Sequence, residues 1–211
     1  MSNGIDISRY NDRNELLIGE TMEMDMRSVK IFVDRNRFPD VRPGIFLIIR
    51  ADNGGLIGYV GSKITKTKYG GEFIPIYIQY GEEARDLYGD IEKEYVYNVE
   101  LYPLYEVDQD GNIRPSFTIY VKPHQPVYIL HDDDLRHILT YGDEINLSFL
   151  LYVDLDDYII CRNMAIYLYR VLGDRYGLDY IFKEFLRYGL KNKSSIDVII
   201  NVFEEVSRYV E

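Results

Sequence analysis

The sequence contains no tryptophan, a single cysteine and no long hydrophobic run. Because Cys161 stands alone, no intrachain disulfide can form, which fits a reducing compartment. No stretch reaches the roughly 18 uncharged apolar residues typical of a transmembrane helix. The first ten residues include Asp6 and Arg9 and lack the apolar segment of a secretory signal. We therefore expect a cytoplasmic protein that does not associate with membranes, and we expect Cys161 to be a small buried side chain rather than a nucleophile.

Basic charge is also scarce. The 211 residues carry a net charge of −11, and acidic side chains outnumber basic ones in both halves of the chain. Direct binding to nucleic acid usually needs a basic surface. The composition therefore favours protein partners, with nucleic acid reached only indirectly through a partner. The 21 tyrosines and few glutamines are typical of heat-adapted proteins, although eleven asparagines favour the opposite interpretation.

The first part of the chain has the pattern of β-strands. Apolar and polar residues alternate with period two, or form short apolar runs, at Val29–Val33, Ile45–Ile49, Tyr95–Leu101, Phe117–Val121 and Leu147–Val153. Asn53-Gly54 predicts a tight hairpin whose two turn residues take positive φ. Strands at this spacing with glycine-rich turns predict a small barrel or sandwich.

The last part of the chain has helical periodicity. A helix from Tyr158 to Leu172 has few polar residues, so we expect it to be buried almost all round. An amphipathic stripe follows over 178–186, and Ser194 with Asp197 fits the start of a third helix. Two shorter helices are predicted, at 82–87 and from Asp132. The predicted fold class is α+β: a β-barrel-like domain over 1–153 followed by a helical subdomain of about three helices over 154–211.

Two clusters are candidate sites for chemistry or binding. Asp154, Asp156 and Asp157 resemble the carboxylate groups that hold Mg²⁺ in nucleases, but they also suit the capping of a helix. The lysines of the one dense basic run are candidates for contact with nucleic acid or for protection of an edge strand: Lys63, Lys66 and Lys68.

Three weaker patterns favour structural interpretations. Gly55, Gly58 and Gly61 have the wrong spacing for a phosphate loop and suit strand bends. Asp108, Asp110 and Asn112 suit a hairpin turn better than a calcium loop. A further set offers metal-type ligands near a helix start, where the helix dipole alone accounts for the aspartates: His131, Asp132, Asp134 and His137. We expect no cofactor.

Short motifs give the first 160 residues a resemblance to the HAS-barrel, the N-terminal β-barrel of HerA-type hexameric ATPases. The motifs that carry it are Ile18-Gly19-Glu20, the segment Val41–Phe46 with Pro43-Gly44, Leu56–Val60, Pro126-Val127-Tyr128, Asp132–Arg136 and the stretch 153–166. The family continues into a P-loop at this point, whereas this chain continues with Tyr167-Leu168-Tyr169-Arg170 and contains no Gly-Lys-Ser/Thr sequence.

The resemblance implies a barrel that builds oligomers and docks partners, without the motor. We therefore expect a non-enzymatic assembly or adaptor protein, a homo-oligomer associated with HerA-type DNA processing and repair. Two alternatives stay open. One is a metal-dependent enzyme acting on nucleic acid through Asp154, Asp156 and Asp157, with Lys63 as an additional candidate. The other is a binder of single-stranded nucleic acid through a tyrosine-rich barrel face.

Overall fold

The computed structural model describes residues 4–11, 15–25, 27–67, 95–115, 121–141 and 144–210. The predicted helix over 82–87 and most of the predicted strand over 117–121 lie outside these residues. The strands are β1 (Leu17–Met24), β2 (Val29–Val33), β3 (Phe46–Ala51), β4 (Gly54–Thr67), β5 (Tyr95–Asp108), β6 (Ile113–Arg114), β7 (Pro126–Ile129), β8 (Thr140–Tyr141) and β9 (Glu144–Ile145). The α-helices are α1 (Asp132–Leu139), α2 (Tyr158–Asn192) and α3 (Ile196–Val210).

Six strands in the described part of the chain close into an antiparallel barrel. β1 pairs with β2 and β7, β2 with β5, β5 with β4, β4 with β3, and β3 with β7. β6 extends the sheet beside the end of β5, and β8 and β9 form a small separate hairpin. The predicted α+β class, with an N-terminal barrel followed by helices, is confirmed.

The interior of the barrel is filled by aliphatic side chains. On β2, Val29, Ile31 and Val33 are fully buried, whereas Lys30 and Phe32 between them are partly exposed, as the alternation predicts. The other strands complete this cluster with residues such as Ile18, Leu47, Ile49, Leu56, Val60, Val99, Leu101 and Val127. The inside of the barrel is therefore packed core.

β3 is buried on both faces, as its continuous apolar run predicts. Leu47 and Ile49 belong to the barrel interior, whereas Phe46 and Ile48 belong to a second core beneath the helices. The Phe46 ring contacts those of Phe149 and Tyr167, with centroids 5.4 and 5.9 Å apart. The helices thus pack on their own barrel, and residues on both sides of the predicted boundary at 153–154 share this second core.

The hairpin between β3 and β4 is present where the sequence predicts it, but its backbone differs. Ala51 pairs with Gly54, so the turn residues are Asp52 and Asn53. Among the described residues other than glycine, positive φ is found at His124 and Lys193, so positive φ at Asn53 is wrong. Gly54 has the positive φ instead, at 144°. A Cβ atom at this position would approach the Val107 carbonyl oxygen to 2.0 Å. Glycine is required at this position by close strand contact.

The predicted strand from Leu147 to Val153 is wrong. Ser148–Tyr152 is a 3₁₀-helix. Leu150 lies within it, Leu147 and Val153 flank it, and all three side chains are buried. Their spacing of three matches the three residues per turn of a 3₁₀-helix. The alternation that suggested a strand coexists with this second period, because every residue of the run except Ser148 is apolar.

The long helix α2 is broken at Gly177, whose φ of 73° and ψ of 164° are not helical. Its two arms and α3 give the three predicted helical segments. The expected burial of its first arm on almost all sides is wrong, because Tyr158, Ile159 and Ile166 are 40%, 56% and 36% exposed. In the described part of the chain, none of the helices combines the length and apolar character that crossing a membrane requires.

Candidate functional site

The three aspartates predicted as a metal site lie together before α2, and their carboxylates accept backbone hydrogen bonds. Asp157 is the N-cap of α2 and accepts from the amides of Ile159 and Ile160, at 2.9 and 3.1 Å. Asp156 accepts from the amide of Ser195 at 2.5 Å, and Asp154 accepts from the amide of Asp156. The cluster therefore ties the start of α2 to the start of α3.

The ligand-like residues around α1 serve as a cap and as ion-pair partners. His131 Nδ1 accepts from the amide of Asp133, and Asp132 pairs with Arg170 at 2.8 Å. The buried carboxylate of Asp134 accepts from the Tyr10 hydroxyl at 2.5 Å and from Arg9 at 3.1 Å. Burial, together with the bond to Asp134, raises the pKa of Tyr10.

Within the described ranges, no group of three or more histidine, cysteine, aspartate or glutamate side chains is placed to hold a metal ion.

Of the three lysines in the basic run, Lys63 is the one whose side chain the structure describes. Its ammonium group donates to the Phe38 carbonyl at 2.6 Å and lies 4.0 Å from the centroid of the Phe38 ring. Burial, reinforced by nearby Arg42, lowers the pKa of Lys63. Lys66 is part of β4, but its side chain lies outside the described part of the chain, as does Lys68 entirely.

The glycine and turn motifs have structural positions. Gly55, Gly58 and Gly61 lie within β4, and a Cβ atom at Gly58 would approach the Tyr102 carbonyl oxygen to 2.3 Å. The Asp108 carboxylate accepts from the amides of Asp110 and Asn112 in the turn before β6. Cys161 is fully buried, and burial raises the pKa of its thiol to about 12, so the reactive thiolate is suppressed.

A cluster that the sequence analysis missed lies where the start of α2 meets the end of α3. We call Tyr158, Ile159, Arg162 and Tyr209 the tyrosine surface. Arg162 pairs with Glu205 at 2.6 Å and lies 5.7 Å from the centroid of the Tyr209 ring. The Tyr158 hydroxyl donates to the same Glu205 carboxylate, and Tyr209 is 71% exposed.

The hydrogen bonds from Tyr158 and Arg162 lower the pKa of Glu205, so this carboxylate stays charged at neutral pH. An ionised carboxylate accepts both bonds, which orient the Tyr158 hydroxyl and the Arg162 guanidinium. The arrangement therefore presents large side chains in fixed positions to solvent.

A second missed feature is a cleft of about 410 Å³ between the barrel and α2. The segment from Asp40 to Ile45 forms one wall, and the outer face of the first arm of α2 forms the other. Its apolar lining includes Ile45, Ile129 and Ile166, and its cationic lining consists of Arg42 and Arg170.

No family model matches the chain, and no curated protein matches it. The resemblance to the HAS-barrel stays a prediction carried by short motifs.

Proposed function

We propose that this chain is a non-enzymatic assembly protein that self-associates through its tyrosine surface and holds a protein partner. The observation that carries the proposal is the exposure of large side chains at that surface. Tyrosine and arginine are enriched among the residues that dominate binding energy at protein interfaces. Contiguous exposed apolar groups on a soluble fold mark interaction sites more often than isolated ones do.

The ion pair beneath the surface supports this proposal. The bonds of Glu205 to Tyr158 and Arg162 hold these side chains in place before any partner arrives. Association loses less conformational entropy when the contacting side chains are already ordered. The tyrosine surface therefore has the composition and the order that an interface needs.

The HAS-barrel resemblance supports the same proposal from the sequence. Barrels of that family help to hold rings together, and this chain has the barrel-like motifs without Gly-Lys-Ser/Thr. A motorless subunit or adaptor of a DNA-processing assembly follows from that combination.

The two alternative functions draw less support from the geometry. Asp156 and Asp157 already accept backbone hydrogen bonds at helix starts, which is the capping role. Lys63 packs on Phe38 and donates to a carbonyl group. The contacts that Asp156, Asp157 and Lys63 make do not direct them at a substrate.

The test is the mass of the full chain in solution, measured by size-exclusion chromatography with light scattering over a range of concentrations. The proposal predicts a discrete multiple of the 24.9 kDa chain mass. A mass of one chain at every concentration would contradict self-association, and robust hydrolysis of ATP by the pure protein would contradict a non-enzymatic role.

A further inference from the structure

In the cleft between the barrel and α2, the loop that forms one wall is held in direct contact with the helix that forms the other. The side-chain amide of Asn163 donates to the Pro43 carbonyl at 2.9 Å. Gly44 has a φ of 89°, and a Cβ atom there would approach the Ile160 carbonyl oxygen to 2.8 Å. The loop before β3 therefore lies directly on the helix, so the cleft is preorganised for a ligand.

Among the described residues, cationic side chains outnumber carboxylates around the cleft, although the net charge of the chain is −11. Arg170 forms an ion pair with Asp132 at 2.8 Å, and Asp40 forms one with Arg37 at 3.4 Å. Arg42, by contrast, is exposed and makes no ion pair with the described residues, and Lys63 beside it donates to a carbonyl group. Asp40 also lines the cleft, but its ion pair is with Arg37, so the Arg42 guanidinium has no ion-pair partner among the described residues.

The apolar half of the cleft limits the kind of ligand. Ile45 and Ile129 are half-buried, and Ile166 is 36% exposed. Three isoleucines beside an arginine suit a ligand that carries an aliphatic group close to an anionic group. A nucleic-acid strand would instead require cations repeated along its backbone.

We propose that this cleft binds an acidic peptide segment of a partner protein. A carboxylate of the segment pairs with the Arg42 guanidinium, which matches carboxylate geometry through two parallel hydrogen bonds. An aliphatic side chain of the segment packs among Ile45, Ile129 and Ile166. The inference rests on the proposed function in that it identifies the partner which the assembly protein holds.

The test uses the full chain labelled at its isoleucine methyl groups, whose NMR signals stay observable in large assemblies. The probe is N-acetyl-leucine, which joins a carboxylate to an aliphatic side chain, and its matched control is N-acetyl-leucinamide, which lacks the charge. The acid is expected to shift the methyl signals of Ile45, Ile129 and Ile166, whereas the amide shifts them at least about tenfold less at equal concentration.

Two variants locate the binding. Arg42→Gln should weaken the response to the acid by at least about tenfold. Arg114→Gln removes another exposed arginine, on strand β6, and should leave the response unchanged. Equal responses to acid and amide, an unchanged response in Arg42→Gln, or shifts confined to isoleucines elsewhere would each overturn the proposal.

Titration with inorganic phosphate separates a carboxylate site from a phosphate site. Phosphate that shifts the same signals at lower concentration than the acid would overturn the peptide assignment. These results are independent of the light-scattering mass, so failure of the cleft proposal and failure of self-association are distinguishable.

Discussion

Buried tyrosines in this molecule combine apolar bulk with a satisfied hydroxyl. Tyr10 has no exposed surface, donates to Asp134 and accepts from the amide of His131 at 3.0 Å. The hydroxyl of Tyr167 donates to the Leu130 carbonyl at 3.2 Å. A buried polar group without a partner costs free energy, so these bonds allow tyrosine to fill core positions in a chain that has no tryptophan.

The buried tyrosines should set the alkaline limit of stability. Burial raises the pKa of Tyr59 and Tyr105 to about 12, and it also raises that of Tyr10 and Tyr167. Above about pH 10 the unfolded chain loses tyrosine protons that the folded chain keeps, so the free energy of unfolding falls as pH rises. Tyrosinate absorbance after a jump to alkaline pH should show a fast phase from exposed tyrosines and a slow phase that follows unfolding. Ionisation of all tyrosines in one fast phase, with the fold intact, would contradict this account.

Cys161 should be inert in the folded protein. Its side chain is fully buried, and burial raises the pKa of the thiol to about 12. A thiol-specific reagent such as iodoacetamide should modify it only in denaturant, with the adduct counted by mass spectrometry. Modification of the native protein at the rate of a small-molecule thiol would show that the thiol is accessible.

At the scale of the element, the start of α2 depends on one carboxylate. Asp157 accepts hydrogen bonds from two backbone amides of the first turn. Replacement of such a cap by alanine typically costs about 1 kcal/mol. We expect Asp157→Ala to lower the free energy of unfolding by about that amount in chemical denaturation. Asp174→Ala, an exposed site within the same helix, is the control and should have little effect. An equal effect of the two substitutions would be inconsistent with capping.

The break in α2 should depend on glycine at 177. With φ at 73° and ψ at 164°, Gly177 occupies a region that is nearly exclusive to glycine, although no atom obstructs an added Cβ. Gly177→Ala should therefore cost about 1–3 kcal/mol through backbone strain alone. Each kcal/mol corresponds to a fall in Tm of about 2–4 °C for a chain of this size, readable by calorimetry. An unchanged or higher Tm would mean that the two arms can straighten without strain.

The elements differ in how far the sequence determines them. β2 and β3 were predictable because their burial follows from period two and from a continuous apolar run. The segment 147–153 was not, because it is apolar at nearly every position and fits period two and period three alike. Only its contacts with the barrel and helices select the 3₁₀-helix.

The candidate surfaces were less predictable than the fold. Tyr158 and Ile159 lie in a helix that is apolar on most sides, so the sequence does not indicate which side faces the barrel. The choice is made by tertiary contacts such as that of Asn163 with Pro43. Tyr209 joins the tyrosine surface only because α3 folds back along α2, which no local pattern reveals.

At the scale of the whole molecule, the barrel and the helices pack together through a shared hydrophobic core. The core beneath the helices joins Phe46 and Tyr128 of the barrel to Met164 and Phe185 of α2. Because the barrel interior is filled, interactions with other molecules depend on the outer surfaces. The tyrosine surface and the cleft beside Arg42 both lie on or against the first arm of α2, so the proposed self-association and the proposed partner binding would both involve this arm.

The most direct test of the account is the light-scattering mass of two matched variants. Ile159→Glu places a charge in the tyrosine surface, and Tyr180→Glu places one at an exposed apolar site elsewhere on α2. We predict that Ile159→Glu reduces the assembly to single chains of 24.9 kDa, whereas Tyr180→Glu keeps the mass of the unmodified protein. If Ile159→Glu assembles as the unmodified protein does, or if the unmodified protein is a single chain, the tyrosine surface is not the interface.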